Sequence, residues 1–224
     1  MSIILEFNEE EKQQLINTWT KSFSVGHGEE SICYKIDDYV YKVLNNQSKP
    51  HYDNSICNNE MKVSSFLFPE EIYTSNDEIF AYKTKYTRNE IDDKRISAGV
   101  LPDINKIKDA LPSFIRDLII LSKNNIIATD LSWRNLLFDG EKLYAIDTLN
   151  YARIGHNPTN TYIKNITCLV MAIMTFTKAY EDACAKKSIS LSEDEIKLLR
   201  GLPSYVVEAA RQMQKENIDE IIQK

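Results

Sequence analysis

Residues 126–148 read Ile-Ile-Ala-Thr-Asp-Leu-Ser-Trp-Arg-Asn-Leu-Leu-Phe-Asp-Gly-Glu-Lys-Leu-Tyr-Ala-Ile-Asp-Thr. Three polar side chains stand at the ends of apolar runs. Asp130 follows the first run, Asn135 opens the second, and Asp147 closes the third. Between the last two runs lies Asp139-Gly140, a hairpin signal when apolar strands flank it. Folding residues 135–138 back on residues 143–146 brings the start of one strand beside the end of the other. Asn135 and Asp147 then share one end of the hairpin, with Asp130 on the loop leading in. Such an oxygen-rich set suits a hard cation such as magnesium.

The rest of the chain is long and apolar enough to surround that hairpin with a core. It has 224 residues, 43% of them hydrophobic, with only 6 Gly and 6 Pro, which excludes a disordered chain and allows one domain or two small lobes. The net charge of −6 and the lack of a basic block argue against a dedicated nucleic-acid binder. Cys33, Cys57, Cys168 and Cys184 form no Cys-x-x-Cys pair, so they read as reduced structural thiols in a cytoplasmic protein. The three histidines are scattered, against a zinc site. No basic segment followed by an apolar one opens the chain, so no standard secretory signal is expected. The most apolar stretch, residues 166–176, is too short to span a bilayer and reads as a buried helix.

In chain order, Asn8 with Glu11 forms a capping-box variant that starts a helix ending near Trp19. Gly26-His27-Gly28 is a turn whose backbone N–H groups can approach phosphate oxygens, but taken alone it reads first as a plain hairpin turn. The following strand turns at Asp37-Asp38 and returns through residues 39–44. Lys42 shares a strand face with Val40 and Leu44. It either meets an anionic partner or is an edge lysine that reaches water. Residues 54–67 read as a helix with Ile56, Met61, Phe66 and Leu67 buried; Glu60 within it either reaches Lys42 or is solvated. Residues 71–74 and 79–86 read as strands around Asn76-Asp77. Residues 87–103 are a polar hinge, and residues 110–123 an amphipathic helix with Leu111, Phe114, Ile115, Leu118 and Ile119 on one stripe. After Asp147 come a loop over 149–160, a buried helix over 166–179, a helix capped at Ser192, and a last helix over 204–216.

A glycine loop, a strand lysine, a helix glutamate, a hinge, a helix, Asp-x-x-x-x-Asn and a hairpin ending in Asp follow one another in this order. The chain thereby resembles the protein-kinase-like superfamily, from about residue 23 to 147 and more loosely to 176. The resemblance implies an α+β, bilobal fold. Residues 1–87 would form a strand-rich N-lobe with an N-terminal helix, the glycine loop, an antiparallel sheet and one helix. Residues 88–224 would form a reduced, mostly helical C-lobe with the catalytic loop and the metal-binding hairpin. It also implies roles by position. Gly26, Gly28 and Ser31 match the glycine-rich loop, Cys33 and Val40 the adenine surroundings, and Lys42 the phosphate-binding lysine with Glu60 as its helix partner. Asp130 matches the catalytic base, Asn135 and Asp147 the magnesium ligands, and Arg134 an arginine that neutralises the transferring phosphoryl group. Adenine would meet backbone groups near Lys85 and Tyr86.

The departures are specific. Ala128-Thr129 stands where the family carries His-Arg or His-Gly, the Asp147 motif reads Ile-Asp-Thr, and no Ala-Pro-Glu follows. In this the chain is similar to trimmed-down kinases that bacteria deliver as effectors, and more distantly to aminoglycoside- and choline-type kinases. The expected activity is Mg-ATP-dependent phosphotransfer to protein Ser or Thr, with a protein substrate or regulatory protein as partner. The expected location is cytoplasmic, with a non-classical route for delivery into a host cell. The absence of Arg beside Asp130 implies no control through activation-loop phosphorylation. The alternatives are an ATP-binding pseudokinase that serves as a scaffold, and a small-molecule kinase. Asp103, Asp109 and Glu181 would be candidates for an acidic substrate pocket in the latter.

Overall fold

The structure is a computed structural model that describes residues 2–28, 30–45, 56, 61–91, 93–153 and 157–222. It is a mixed α+β chain that divides into two compact units. One comprises Met1–Glu60, Leu67–Thr87 and Thr148–Asn150; the other comprises Met61–Phe66, Arg88–Asp147 and Tyr151–Lys224.

The first unit is built on a six-stranded sheet. Its strands are β1 (Ile3–Glu6), β2 (Phe23–His27), β3 (Ser31–Ile36), β4 (Tyr39–Leu44), β5 (Glu71–Ser75) and β6 (Glu78–Lys85), in the order β1-β5-β6-β4-β3-β2. Helix α1 (Glu9–Trp19) follows β1 and carries the expected capping box. Asn8 accepts from the N–H groups of Glu10 and Glu11, and Glu11 returns a carboxylate to the Asn8 N–H. The sheet departs from the all-antiparallel expectation at one edge, where β1 pairs in parallel with β5. The reason is topological: α1 carries the chain away from β1, so no hairpin can return it antiparallel. Asn76 and Asp77 both have positive φ, the backbone of a tight two-residue hairpin between β5 and β6.

Alternation along the strands divides the sheet into two faces. One face packs Tyr34, Tyr73 and Ala81 with Trp19 and Phe80, joined by Leu15 and Ile16 of α1. The Trp19 ring lies 5.0 Å from the rings of both Tyr41 and Tyr73. Burying a side chain of that size is worth about 3–5 kcal/mol relative to alanine. The other face carries Ile72, Tyr82 and Leu44, which cluster with Leu149.

The second unit is a helical core beside a short hairpin. Helix α2 (Asp93–Ser97) occupies part of the expected hinge and buries Ile96. Helix α3 (Ile104–Lys123) buries all five stripe residues expected of it and begins six residues early, capped by Asp103. It packs with α4 (Pro158–Lys187) and α5 (Glu193–Ile222), which also pack on each other. The expected break between two C-terminal helices is absent. Gly201 and Pro203 lie inside α5, because Leu199, Leu202, Val206 and Ala210 form one continuous buried stripe. The hairpin pairs β8 (Leu136–Phe138) with β9 (Leu143–Ala145) around Asp139 and Gly140.

Of the helix expected over 54–67, residues 54, 55 and 57–60 lie outside the described residues, and the described residues 56 and 61–67 are not α-helical. The buried Asp117 carboxylate of α3 explains this. It accepts the N–H groups of Ser64 and Ser65, both at 2.7 Å, in place of helical carbonyls. Ser65 then accepts the Ala145 N–H through its carbonyl, and Phe66 packs 5.1 Å from Phe114. Ile56 and Phe66 are buried, whereas Met61 and Leu67 are half-buried. Among the described residues no helix is long and apolar enough to cross a membrane.

On the α1 side of the sheet, Glu71 receives Lys83 Nζ at 2.7 Å and the Tyr73 hydroxyl. Burial alone would raise the Glu71 carboxyl. The hydrogen bonds from Lys83 and Tyr73, with the Lys83 charge, outweigh it and hold the carboxyl below its ordinary value of 4.5. The unfolded chain therefore takes up this proton first as pH falls. The stabilisation is complete above pH 4.5 and is lost as pH drops through the lower folded value. Thermal melts taken from neutral pH into the acid range should show a steeper loss of Tm in the wild type than in Glu71→Gln. Parallel curves would show that this carboxylate contributes nothing.

Candidate active site

Entry into the Asp130 loop is fixed by a buried amide. Strand β7 (Ile126–Ile127) pairs antiparallel with β10 (Ala152–Arg153). From α4, the fully buried Asn165 donates through Nδ2 to the Ile126 carbonyl and to Ser122 Oγ, both at 2.9 Å. Its Oδ1 accepts the Ala128 N–H at 2.9 Å. Two backbone groups ahead of Asp130, at Ile126 and Ala128, are thus held by one side chain, and the amide orientation is the one that satisfies all three partners.

Beyond this anchor the loop becomes accessible. Thr129 and Asp130 are exposed, while Trp133 is buried with its ring 6.2 Å from that of Phe176. Trp133–Asn135 form a single 3₁₀ turn, which brings Asn135 back over Asp130. Asn135 Nδ2 donates to the Asp130 carbonyl at 2.9 Å and to its carboxylate at 3.0 Å. The Asn135 carbonyl accepts the Ile146 N–H at 2.9 Å, so Asp147 follows directly from the pair that closes the hairpin. Asp147 has φ 61°, left-handed backbone that aspartate tolerates better than most non-glycine residues. Tyr151 lies close to both aspartates. Burial pushes its hydroxyl above the ordinary range, with the negative charges of Asp147 and Asp130 adding to the shift. Asp130, Asn135 and Asp147 are therefore brought together, and Arg134 stands exposed in the same turn.

These donors fit a magnesium ion by their chemistry. The Asn135 nitrogen is spent on Asp130, which leaves its amide oxygen for a hard cation, and Asp147 adds a carboxylate. Among the described residues no three His, Cys, Asp or Glu side chains cluster.

The remaining expected site residues lie in the first unit. Register sets Gly26 opposite Cys33, Cys33 opposite Lys42, and Lys42 opposite Tyr82, all on the sheet face away from α1. Val40 stands on that face one row over, opposite Lys35. Lys42 is half-buried, with its Nζ 5.7 Å from the Tyr82 ring centroid. Gly26 sits within β2 rather than in the turn, next to a bulge that follows Ser24; the Gly28 N–H closes the turn on the Ser31 carbonyl at 2.9 Å. Ser31 is buried. A Cβ added at Gly26 would lie 3.6 Å from Cys33, and one at Gly28 would lie 3.7 Å from the Ser31 carbonyl, both ordinary contacts. Neither glycine has positive φ. The chain's own packing therefore demands neither of them, and they leave bare backbone on the surface.

Lys85 ends β6 and is exposed. The Tyr86 N–H is donated to the Asp38 carbonyl at 2.8 Å, so that donor is engaged within the sheet. Glu60 and Cys57 lie outside the described residues. Of the candidates for an acidic pocket, Asp103 caps α3 and Glu181 binds Arg200 at 2.7 Å, so both are engaged in structure. Three residues escaped sequence reasoning: Asn165, Tyr151 and Phe23. Phe23 pairs with Lys35 and is 77% exposed on the same face as Lys42. Only the alternation Phe23-x-Val25 ahead of Gly26 could have flagged it.

Replacing Asn165 by Leu removes a partner of the buried Ala128 N–H and of the Ile126 carbonyl, while the Ser122 hydroxyl keeps its bond to the Leu118 carbonyl. Urea unfolding should show a loss of about 3 kcal/mol. A loss within about 0.5 kcal/mol would mean the amide anchors nothing.

No family model matches this chain, and no curated protein matches it.

Proposed function

We propose that this protein is a Mg-ATP-dependent phosphotransferase with a reduced, bilobal protein-kinase-like fold, its lobes spanning residues 1–87 and 88–224. The observation that carries the reading is the Asn135 amide, bonded at once to the carbonyl and carboxylate of Asp130 and one backbone pair away from the left-handed Asp147. A second support is the strand lysine. Lys42 lies on the third strand of the meander that the glycine hairpin begins, where a kinase holds its phosphate-binding lysine.

The chemistry follows from the charges. Phosphoryl transfer has a loose transition state, so positioning and charge neutralisation do most of the work. Asp130 accepts the hydrogen bond of the acceptor hydroxyl and takes its proton late. Asn135 holds Asp130 in place through its nitrogen and offers its oxygen to the metal alongside Asp147. When bound, magnesium supplies positive charge to the phosphate oxygens. Lys42 pairs with the nucleotide phosphates, and Arg134 adds charge on the side of the acceptor. The bare backbone at Gly26 and Gly28 admits phosphate oxygens closely.

The acceptor on this reading is a protein Ser or Thr hydroxyl, with the enzyme acting in the cytoplasm or after non-classical delivery into a host cell. One observation favours a small-molecule acceptor instead. Only ten residues separate Asp147 from α4, and among the described ones Tyr151 is 1% exposed and Ala152–Arg153 is paired to β7, a short segment on which to lay a peptide.

Incubation with γ-labelled ATP and magnesium, alone and with lysate, tests the reading. Asp130→Ala should cut transfer by about 100-fold or more while keeping thermal stabilisation by Mg-ATP, and Asp147→Ala should lose both. Label on small molecules would identify the second acceptor class. Stabilisation without any transfer would make the protein a pseudokinase, and transfer unchanged in Asp147→Ala would refute the assignment.

A further inference from the structure

A groove of ≈ 350 Å³ runs between α3 and α5, and the candidate active site uses none of its residues. Its floor is Leu198, Gly201, Leu202 and Tyr205 of α5. Residues 194, 197, 198, 201 and 205 recur at spacings of three and four, so one stripe of the helix faces it. Gly201 sits in the middle of that stripe. A Cβ built there meets nothing within 4 Å. Alanine would fit without strain and would strengthen the helix, so no packing within the chain requires the glycine. What the glycine creates is a notch, walled by two leucines and a tyrosine ring.

The rim is cationic. Lys108 Nζ lies 5.3 Å from the Tyr205 ring centroid, which holds the ammonium at the edge of the notch. Lys197 is exposed on the opposite side, and Asp194 is the one carboxylate lining the groove. Two positive charges against one negative, around an apolar notch in a chain of net charge −6, define the complement. We propose that this groove docks a segment of a partner protein in which one large apolar side chain is flanked by carboxylates. The apolar side chain enters over Gly201, and the carboxylates meet Lys108 and Lys197. A second copy bound through the same face would set these lysines against their own kind, so the complement lies on another protein.

The test is fluorescence anisotropy on the full chain with fluorescein-labelled peptides: a Glu-rich peptide with a central Leu, the same peptide with a central Ala, and a Lys-for-Glu version. The wild type should bind the Glu–Leu peptide at least about 10-fold more tightly than either control. Gly201→Leu should fill the notch and weaken binding by about 10-fold or more. Lys197→Glu should weaken the Glu–Leu peptide and improve the Lys version, a reversal that misfolding cannot mimic. Gly201→Ala should raise Tm by about 2–4 °C, showing that the helix tolerates a side chain there. No binding by any peptide, equal binding across the panel, or wild-type binding by Gly201→Leu and Lys197→Glu would overturn the proposal. Self-association abolished by Gly201→Leu would assign the groove to a second copy and would also overturn it.

Discussion

Asn165 is fully buried, and its one amide satisfies a backbone donor, a backbone acceptor and a hydroxyl on two other elements. The course of the chain from Ile126 to Asp130 depends on that bond set. With the backbone of residues 126–128 held against α4, Asp130 leaves the core at a fixed point. The 3₁₀ turn can then bring Asn135 back to it, and the hairpin sets Asp147 beside Asn135. A buried amide suits this task because its cost of desolvation is met only when all its partners are present, which makes the arrangement all-or-none.

The sheet solves a different problem by alternation. Every second residue of β3 and β4 enters the aromatic core under α1, and the intervening ones carry Cys33, Val40 and Lys42 to the opposite face. The stability of the first unit and its proposed nucleotide face are therefore written on the same strands. A one-residue slip of β4 would put Lys42 into the aromatic cluster and Tyr41 on the other face.

What could be read in the sequence was what is local. The capping box at Asn8, the Asn76-Asp77 turn, the Asp-x-x-x-x-Asn spacing and the hairpin around Asp139-Gly140 each concern residues within a dozen positions of one another. Residues whose role depends on distant partners were not legible. Asp117 looks like one more charge on an amphipathic helix until Ser64 and Ser65 arrive, and Asn165 looks like a polar break in an apolar run. The same blindness produced the helix expected over 54–67, whose described residues 61–67 are not α-helical, and the false break at Gly201 and Pro203. In both places tertiary burial or a remote carboxylate overrode local preference.

The parallel edge strand carries a consequence for how the molecule is made. β1 leaves the ribosome well before its hydrogen-bonding partner, which begins at Glu71. Until β5 has emerged, β1 has no strand to join, and α1 presents Leu15, Ile16 and Trp19 to a sheet that is still incomplete. β1 is therefore secured late, at the entropic cost of closing a long loop. Over that interval the nascent first unit exposes apolar surface of the kind that chaperones bind and unpaired edges exploit.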